Sequence, residues 1–343
     1  MKSYLQIYWV VLLFVLPACK GKDEASRQKG NTSQPENALP NRFSLVEKVD
    51  TIFTQNTPSR ITRKIRKDSD GNLLISAFED VVLYDGELFS NLPRVKGFES
   101  IDAFDALEDS KGNIWIASTH LGVFRYDGKV FKNFTTDDGL AHNRTIDIYE
   151  DKAGNIWIAT MGGASCYNGL SFQNFTTKEG MPHNDVNTII EDRTGKIWFG
   201  TRGTACFYDP SSSKFTEISN NEGEPLRNVK SMIEDKKGVI WLSNEEGIWR
   251  YDSSPLMLVS NKGGNYIYED KNDNIWFTHG SVLSLFSKES LNLTNPKATE
   301  VFVGKGMFFG ISEDKEGNIW VGTLQGVFNY DGKSIKFYSD AEL

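Results

Sequence analysis

From residue 60 onward the apolar residues of the chain fall in short runs, broken by turns that carry Gly and Asp. Around Trp115 the runs are Ile101–Leu107, Ile114–Ala117, Gly122–Tyr126 and Val130–Phe134, with turns at Asp109–Gly112 and Asp127-Gly128. Short β-rich runs separated by such turns predict strands joined as hairpins, and no 3.6-residue apolar period competes with them. In Ile114-Trp115-Ile116 both faces of the strand are apolar. A strand of that kind is covered on both sides.

The same phrase, Glu-Asp-x-x-Gly-x-Ile-Trp, recurs along the chain with small variations. Its tryptophans are Trp115, Trp157, Trp198, Trp241, Trp276 and Trp320, and Leu74 takes their place in a degraded first copy. From Leu74 onward the spacings are 41, 42, 41, 43, 35 and 44 residues. Four strands in a unit of this length predict a blade of a β-propeller, and seven units predict a ring of seven. The expected fold is therefore all-β: a single seven-bladed propeller of four-stranded antiparallel blades, spanning residues 43–343. Each column tryptophan should be buried between blades. At ~200 Å² per indole and ~25 cal/mol/Å², burial stabilises by at most about 5 kcal/mol each. Asp109, Asp151, Asp192, Asp235, Asp270 and Asp314 recur at the turn, where a carboxylate accepts backbone N–H groups and the following Gly supplies positive φ. Copying in six units marks these residues as structural. Asp68-Ser69-Asp70-Gly71-Asn72 lacks the remaining ligands of a calcium loop. Thr51–Thr54 and Ile335–Tyr338 both read as a fourth strand, so either end can complete the last blade.

The N-terminus carries an address. Residues 1–18 pair Lys2 with an apolar stretch from Ile7 to Leu16, the pattern of a secretory signal. Leu16-Pro17-Ala18-Cys19 resembles a bacterial lipobox, which makes Cys19 the expected lipidation site. Residues 20–42 are almost free of apolar side chains and predict a flexible tether. Within them Lys22-Asp23-Glu24 resembles the export signal of surface lipoproteins in the Bacteroidetes. The expected location is the bacterial outer membrane, facing the periplasm or the cell surface, with the lipid as the only membrane contact. The 38 basic and 46 acidic residues give a net charge of −8, which provides no electrostatic footprint for nucleic acid.

The repeat resembles that of the two-component regulator propeller family: acid-Asp-x-x-Gly-x-Ile/Leu-Trp-Ile-Gly-Thr followed by Gly-Leu-x-x-Tyr-Asp. The best-kept copies are Gly195–Thr201, Gly317–Thr323, Gly122–Asp127 and Gly326–Asp331. In that family tandem propellers form periplasmic sensors of hybrid histidine kinases, and many sense glycans. The resemblance therefore implies ligand sensing. This chain shows one ring where the family has two, with no dimerisation module, second membrane segment or kinase, so signalling would depend on other proteins.

Antiparallel blades place the loop between strands two and three on the same face as the loop between blades. All four histidines fall on this rim: His120 and His279 in the former loops, His142 and His183 in the latter. Arg144, Arg202, Arg227 and Lys305 join them, with Asn143, Asn184 and Asn228 beside them. These eleven residues are the candidate ligand-binding set. No third ligand accompanies the histidines, so neither a metal nor another cofactor is expected. Cys166 and Cys206 occupy third strands of adjacent blades. Stacked sheets lie about 10 Å apart, farther than a disulfide spans, which favours free thiols. No catalytic motif is present. The leading expectation is a non-catalytic ring binding a glycan or an envelope protein. The alternatives are a uronate-polysaccharide lyase, with His142 or His183 as base and Arg144, Arg202 and Arg227 as neutralising cations, and a docking platform in an envelope assembly.

Overall fold

The computed structural model describes residues 43–339 except 47, 59, 99, 253 and 254. The signal segment, Cys19 and the tether at 20–42 lie outside the described residues. The chain forms seven sheets, and each begins with an inner strand followed outward by three antiparallel neighbours. The inner strands are Thr62–Lys67, Ala103–Glu108, Thr145–Glu150, Val186–Glu191, Ser231–Glu234, Tyr266–Glu269 and Phe308–Glu313. They pack side by side around the axis, and the first contacts the last. No helix among the described residues is long and apolar enough to cross a membrane.

Seven apolar clusters hold the ring together, one at each junction between neighbouring blades. Each column residue packs into the junction with the blade that follows: Trp198, for example, joins Val229, Met232 and Leu242 of the next blade. Trp115, Trp241, Trp276 and Trp320 are no more than 2% exposed. Leu74 fills the same place between blades one and two, where Phe98 comes in from a loop and meets Phe124 edge-on at 5.4 Å.

The turn aspartates have a further partner. Asp109 Oδ1 accepts the Lys111 and Asn113 N–H groups, while Oδ2 accepts the Trp115 indole N–H at 2.8 Å. The indole bond repeats in all six tryptophan-bearing blades, at 2.7–2.9 Å. One carboxylate thus closes the hairpin and fixes the buried ring, leaving the indole N–H satisfied. In blade six Asp273 takes the positive φ, 66°, that Gly takes elsewhere.

Both candidate strands at the chain ends are used. Ile335–Ser339 is the fourth strand of blade seven, and Val49–Phe53 pairs with it in parallel as a fifth. Before that pairing the chain touches blade six: Val46 N–H donates to the Val301 carbonyl at 2.8 Å, and Phe43 packs edge-on against Trp276. Two short helices, Thr136–Asp138 and Lys288–Leu291, interrupt the all-β pattern. The second lengthens the outer hairpin of blade six and accounts for the 44-residue spacing. The 35-residue spacing reflects the short connection from Met257–Ser260 to Tyr266.

Candidate functional site

The rim carries the predicted residues in separate groups, each tied to its own blade or the next. His120 is exposed and sits in the loop after Ile114–Ser118. Its Nδ1 is 3.2 Å from the Thr119 hydroxyl and 3.8 Å from Asp102, which also pairs with Arg63 at 2.7 Å. Asp102 holds a φ of 43°, a strained conformation for a non-glycine residue. His142 and His183 occupy equivalent loops of adjacent blades. His142 Nδ1 accepts the Arg144 backbone N–H at 2.9 Å, and His183 Nδ1 accepts that of Asp185 at 3.0 Å. Each side chain packs on a glycine of the neighbouring loop: a Cβ on Gly203 would stand 2.8 Å from the His183 ring, and one on Gly162 would stand 2.9 Å from the His142 Cβ.

Asn143 and Asn184 brace their loops, their side-chain oxygens accepting the Thr136 and Thr177 N–H groups at 2.8 and 2.7 Å. Arg202 pairs with Asp185 at 3.3 Å, and Asn228, at φ 50°, donates to Glu245. Arg144 and Arg227 extend from the surface. His279 is the last residue of the strand Ile275–His279 rather than a loop residue. There it meets the Ser284 hydroxyl at 3.0 Å and stacks on Phe277, and burial, aided by Lys262, holds its pKa below the usual histidine value. Lys305 borders a cavity of about 820 Å³ at the outer junction of blades six and seven, lined by Phe302, Phe308, Phe328 and Val49.

A second cavity, of about 570 Å³, lies on the ring axis, and all seven inner strands contribute to its wall. It reaches Glu191, Glu234, Lys67 and Lys152 at the Glu-Asp turns, so it opens on the face opposite the rim. A buried ion network lies at its inner end. Arg66 donates to Asp105 from two nitrogens, at 2.8 and 2.7 Å, and to Asp147 at 2.9 Å, while Lys64 bonds Asp147 and lies 3.5 Å from Asp105. The carboxylates also accept backbone N–H groups, Asp105 from Ile148 and Asp147 from Ile189. Burial opposes the Lys64 charge, but Asp105 and Asp147 outweigh it and hold the ammonium above its ordinary pKa. Burial likewise opposes the Asp105 charge, yet Arg66 and then Lys64 hold its carboxyl well below the usual range. Two cations and two anions thus satisfy one another across blades one to three.

Sequence reasoning missed this network because its aspartate recurs in only two blades and its cations stand in one. One signal was available: Lys64, Asp105 and Asp147 all stand three residues before the column of the turn glutamates, charged positions within strands that are otherwise buried. Cys166 and Cys206 are both free, and both pack on the junction of blades three and four. Burial pushes the Cys166 thiol up to about 12 and raises that of Cys206 as well, so neither is a ready thiolate.

Three segments, 139–162, 180–203 and 304–325, match the two component regulator propeller family. They cover the two inner strands of blades three, four and seven. Among solved structures, the extracellular domain of the hybrid two component system BT3049 from B. thetaiotaomicron superposes with a TM-score of 0.68 at 20% identity, covering 81% of this chain and 40% of that one. The chain therefore spans less than half of that extracellular domain. PorZ, a surface component of the type-IX secretion system of Porphyromonas gingivalis, gives 0.64 at 16% identity over 78% of this chain and 46% of PorZ. Virginiamycin B lyase from Staphylococcus aureus gives 0.65 at 14% identity over 80% and 96%. No curated protein matches the sequence significantly.

Proposed function

We propose that the chain is an exported, lipid-anchored propeller that binds a ligand without transforming it. The address at Cys19 and the resemblance to extracellular sensor domains support a location outside the cytoplasm, on the outer membrane. The ligand is a glycan or an envelope partner protein met at the rim.

One observation carries the non-catalytic reading. In His142 and His183 the Nδ1 atom accepts a backbone N–H, so it carries no proton. The neutral ring must then hold its proton on Nε2. The remaining nitrogen of each ring is a hydrogen-bond donor, suited to a ligand oxygen and unable to act as a base. Two such donors in adjacent blades, beside Arg144 and the paired Arg202, form a surface for acceptor-rich ligands. This weakens the lyase alternative, which needs a free lone pair at that nitrogen.

A thermal-shift screen against a glycan library tests the reading. A stabilising ligand whose effect disappears in the double variant His142→Ala, His183→Ala is the expected result. A rise in absorbance near 235 nm on mixing with uronate polymers, abolished in the same variant, would establish the lyase instead. A partner retained in pull-downs regardless of added sugar would point to the docking platform.

A further inference from the structure

The ion network that closes the axial cavity also determines what the cavity can accept. The lining stops at the layer of Lys64, Asp147, Thr188, Ser231 and Tyr266 and includes none of the next residues toward the rim, such as Arg63 or Lys230. Lys64, Asp105 and Asp147 are buried and close that end, so the cavity is a socket that a ligand enters by its tip. Its size lies within the range of small-molecule sites, roughly 300–1,000 Å³.

The polar groups in the socket define its chemistry. The charges of Lys64, Arg66, Asp105 and Asp147 balance, and each is already bonded to a partner of opposite sign. An ionic group at the tip of a ligand would find no unpaired countercharge at this inner end, and Lys67 stands only at the mouth. By contrast, the hydroxyls of Thr188, Tyr266 and Ser312 line the wall, and none of them has a hydrogen-bond partner among the described residues. Tyr266 faces the network from across the axis, in blade six. Tyr149 and Tyr268 add aromatic surface, and Leu107, Ile190 and Ile233 add aliphatic surface. Uncompensated hydroxyls among aromatic and aliphatic walls match a molecule with alternating hydroxyl and C–H faces.

We propose that the axial cavity is a blind socket for the terminal unit of an uncharged oligosaccharide, entering from the Glu-Asp turn face. This rests on the ligand-binding reading and adds to the rim a second site on the opposite face, one that is specific for chain ends.

Calorimetric titration with maltotriose, cellotriose, xylotriose and laminaritriose, with trigalacturonate as the charged member, tests it. At least one neutral trisaccharide is expected to bind. Tyr266→Phe and Ser312→Ala, each of which removes one free hydroxyl and little volume, should each weaken that binding about tenfold, the effect of one lost hydrogen bond. Melting temperatures near wild type show that both variants fold. Binding unchanged in both variants, or no binding by any neutral trisaccharide, overturns the inference. Loss of sugar binding in His142→Ala, His183→Ala with no change in Tyr266→Phe returns the site to the rim. Binding of trigalacturonate alone also sinks the socket and leaves glycan binding standing.

Discussion

At six of the seven junctions a glutamate of one blade reaches back to the turn of the blade before it. Glu150 accepts the Ser110 N–H at 2.7 Å, Glu191 that of Lys152 at 2.7 Å and Glu313 that of Lys271 at 2.9 Å, while Glu234 takes the Arg193 guanidinium at 2.8 Å. At the seventh, between the last blade and the first, Lys67 stands in the glutamate column, and the remaining bridge is Lys315 Nζ to the Asn72 side-chain oxygen at 2.9 Å. The closing junction holds in other ways. Gly310 lies so close to the first blade that a Cβ there would stand 2.7 Å from the Arg63 carbonyl oxygen. Lys64 and Arg66 reach on from the first blade to the second and third. The strand Val49–Phe53 binds the outer edge of the last blade. The lesson is that consecutive blades are joined by a copied device, whereas the joint between chain ends is made from residues that occur once.

Removing residues 43–53 should break that contrast most severely. Blade seven loses its fifth strand and blade six loses the Phe43 contact with Trp276, and the cooperative thermal transition should broaden and fall steeply. A melting temperature within about 5 °C of wild type by calorimetry would show that residues 54–339 close the ring unaided.

Next in size are the column residues. Trp198→Ala should destabilise by about 3–5 kcal/mol in denaturant unfolding, and Leu74→Ala by the lower part of ~2–5 kcal/mol, since Leu74 leaves no indole N–H partner behind. Similar costs at the two sites would mean that the Asp–indole bond adds little.

Asp192→Asn tests that bond directly, with an expected loss of about 1–3 kcal/mol. Burial disfavours the Asp109 and Asp192 charges, but donors including the tryptophan indole and the turn N–H groups hold both carboxyls below their ordinary value of 3.8. A lowered carboxyl contributes stability that is present above its unfolded pKa and is lost as pH falls through the folded one. The contribution of these two groups to the melting temperature should therefore be constant above the ordinary carboxylate range and fall below it; in Asp192→Asn the acid-side fall should be shallower. The smallest change is Lys67→Glu, which restores the copied carboxylate at the closing junction. A gain of at most ~0.5 kcal/mol is expected.

The blades were legible because their signals are repeated: an indole, a turn carboxylate and a Gly recur in register, and the strand runs between them match. The Asp–Trp bond was not legible, because residues six apart meet only once the hairpin has formed. Assigning the histidines to one face followed from strand order alone. How His142 and His183 direct their nitrogens did not, since it depends on backbone N–H groups two residues further along, at Arg144 and Asp185. The axial cavity escaped notice for a different reason. Repetition draws attention to what all blades share, and Tyr266, Arg66 and Asp147 belong to single blades.

The pairing of Val49 with Ile335 also governs when the protein can finish folding. The strand Val49–Phe53 leaves the ribosome early and must wait for Ile335–Ser339, its hydrogen-bonding partner, to follow. Contacts so distant along the chain form slowly. Blades whose strands are contiguous in sequence can assemble as they emerge, but the circle locks only once Ile335–Ser339 is available. A chain truncated even slightly before Ile335 therefore loses both the outer strand of its last blade and the dock for its first.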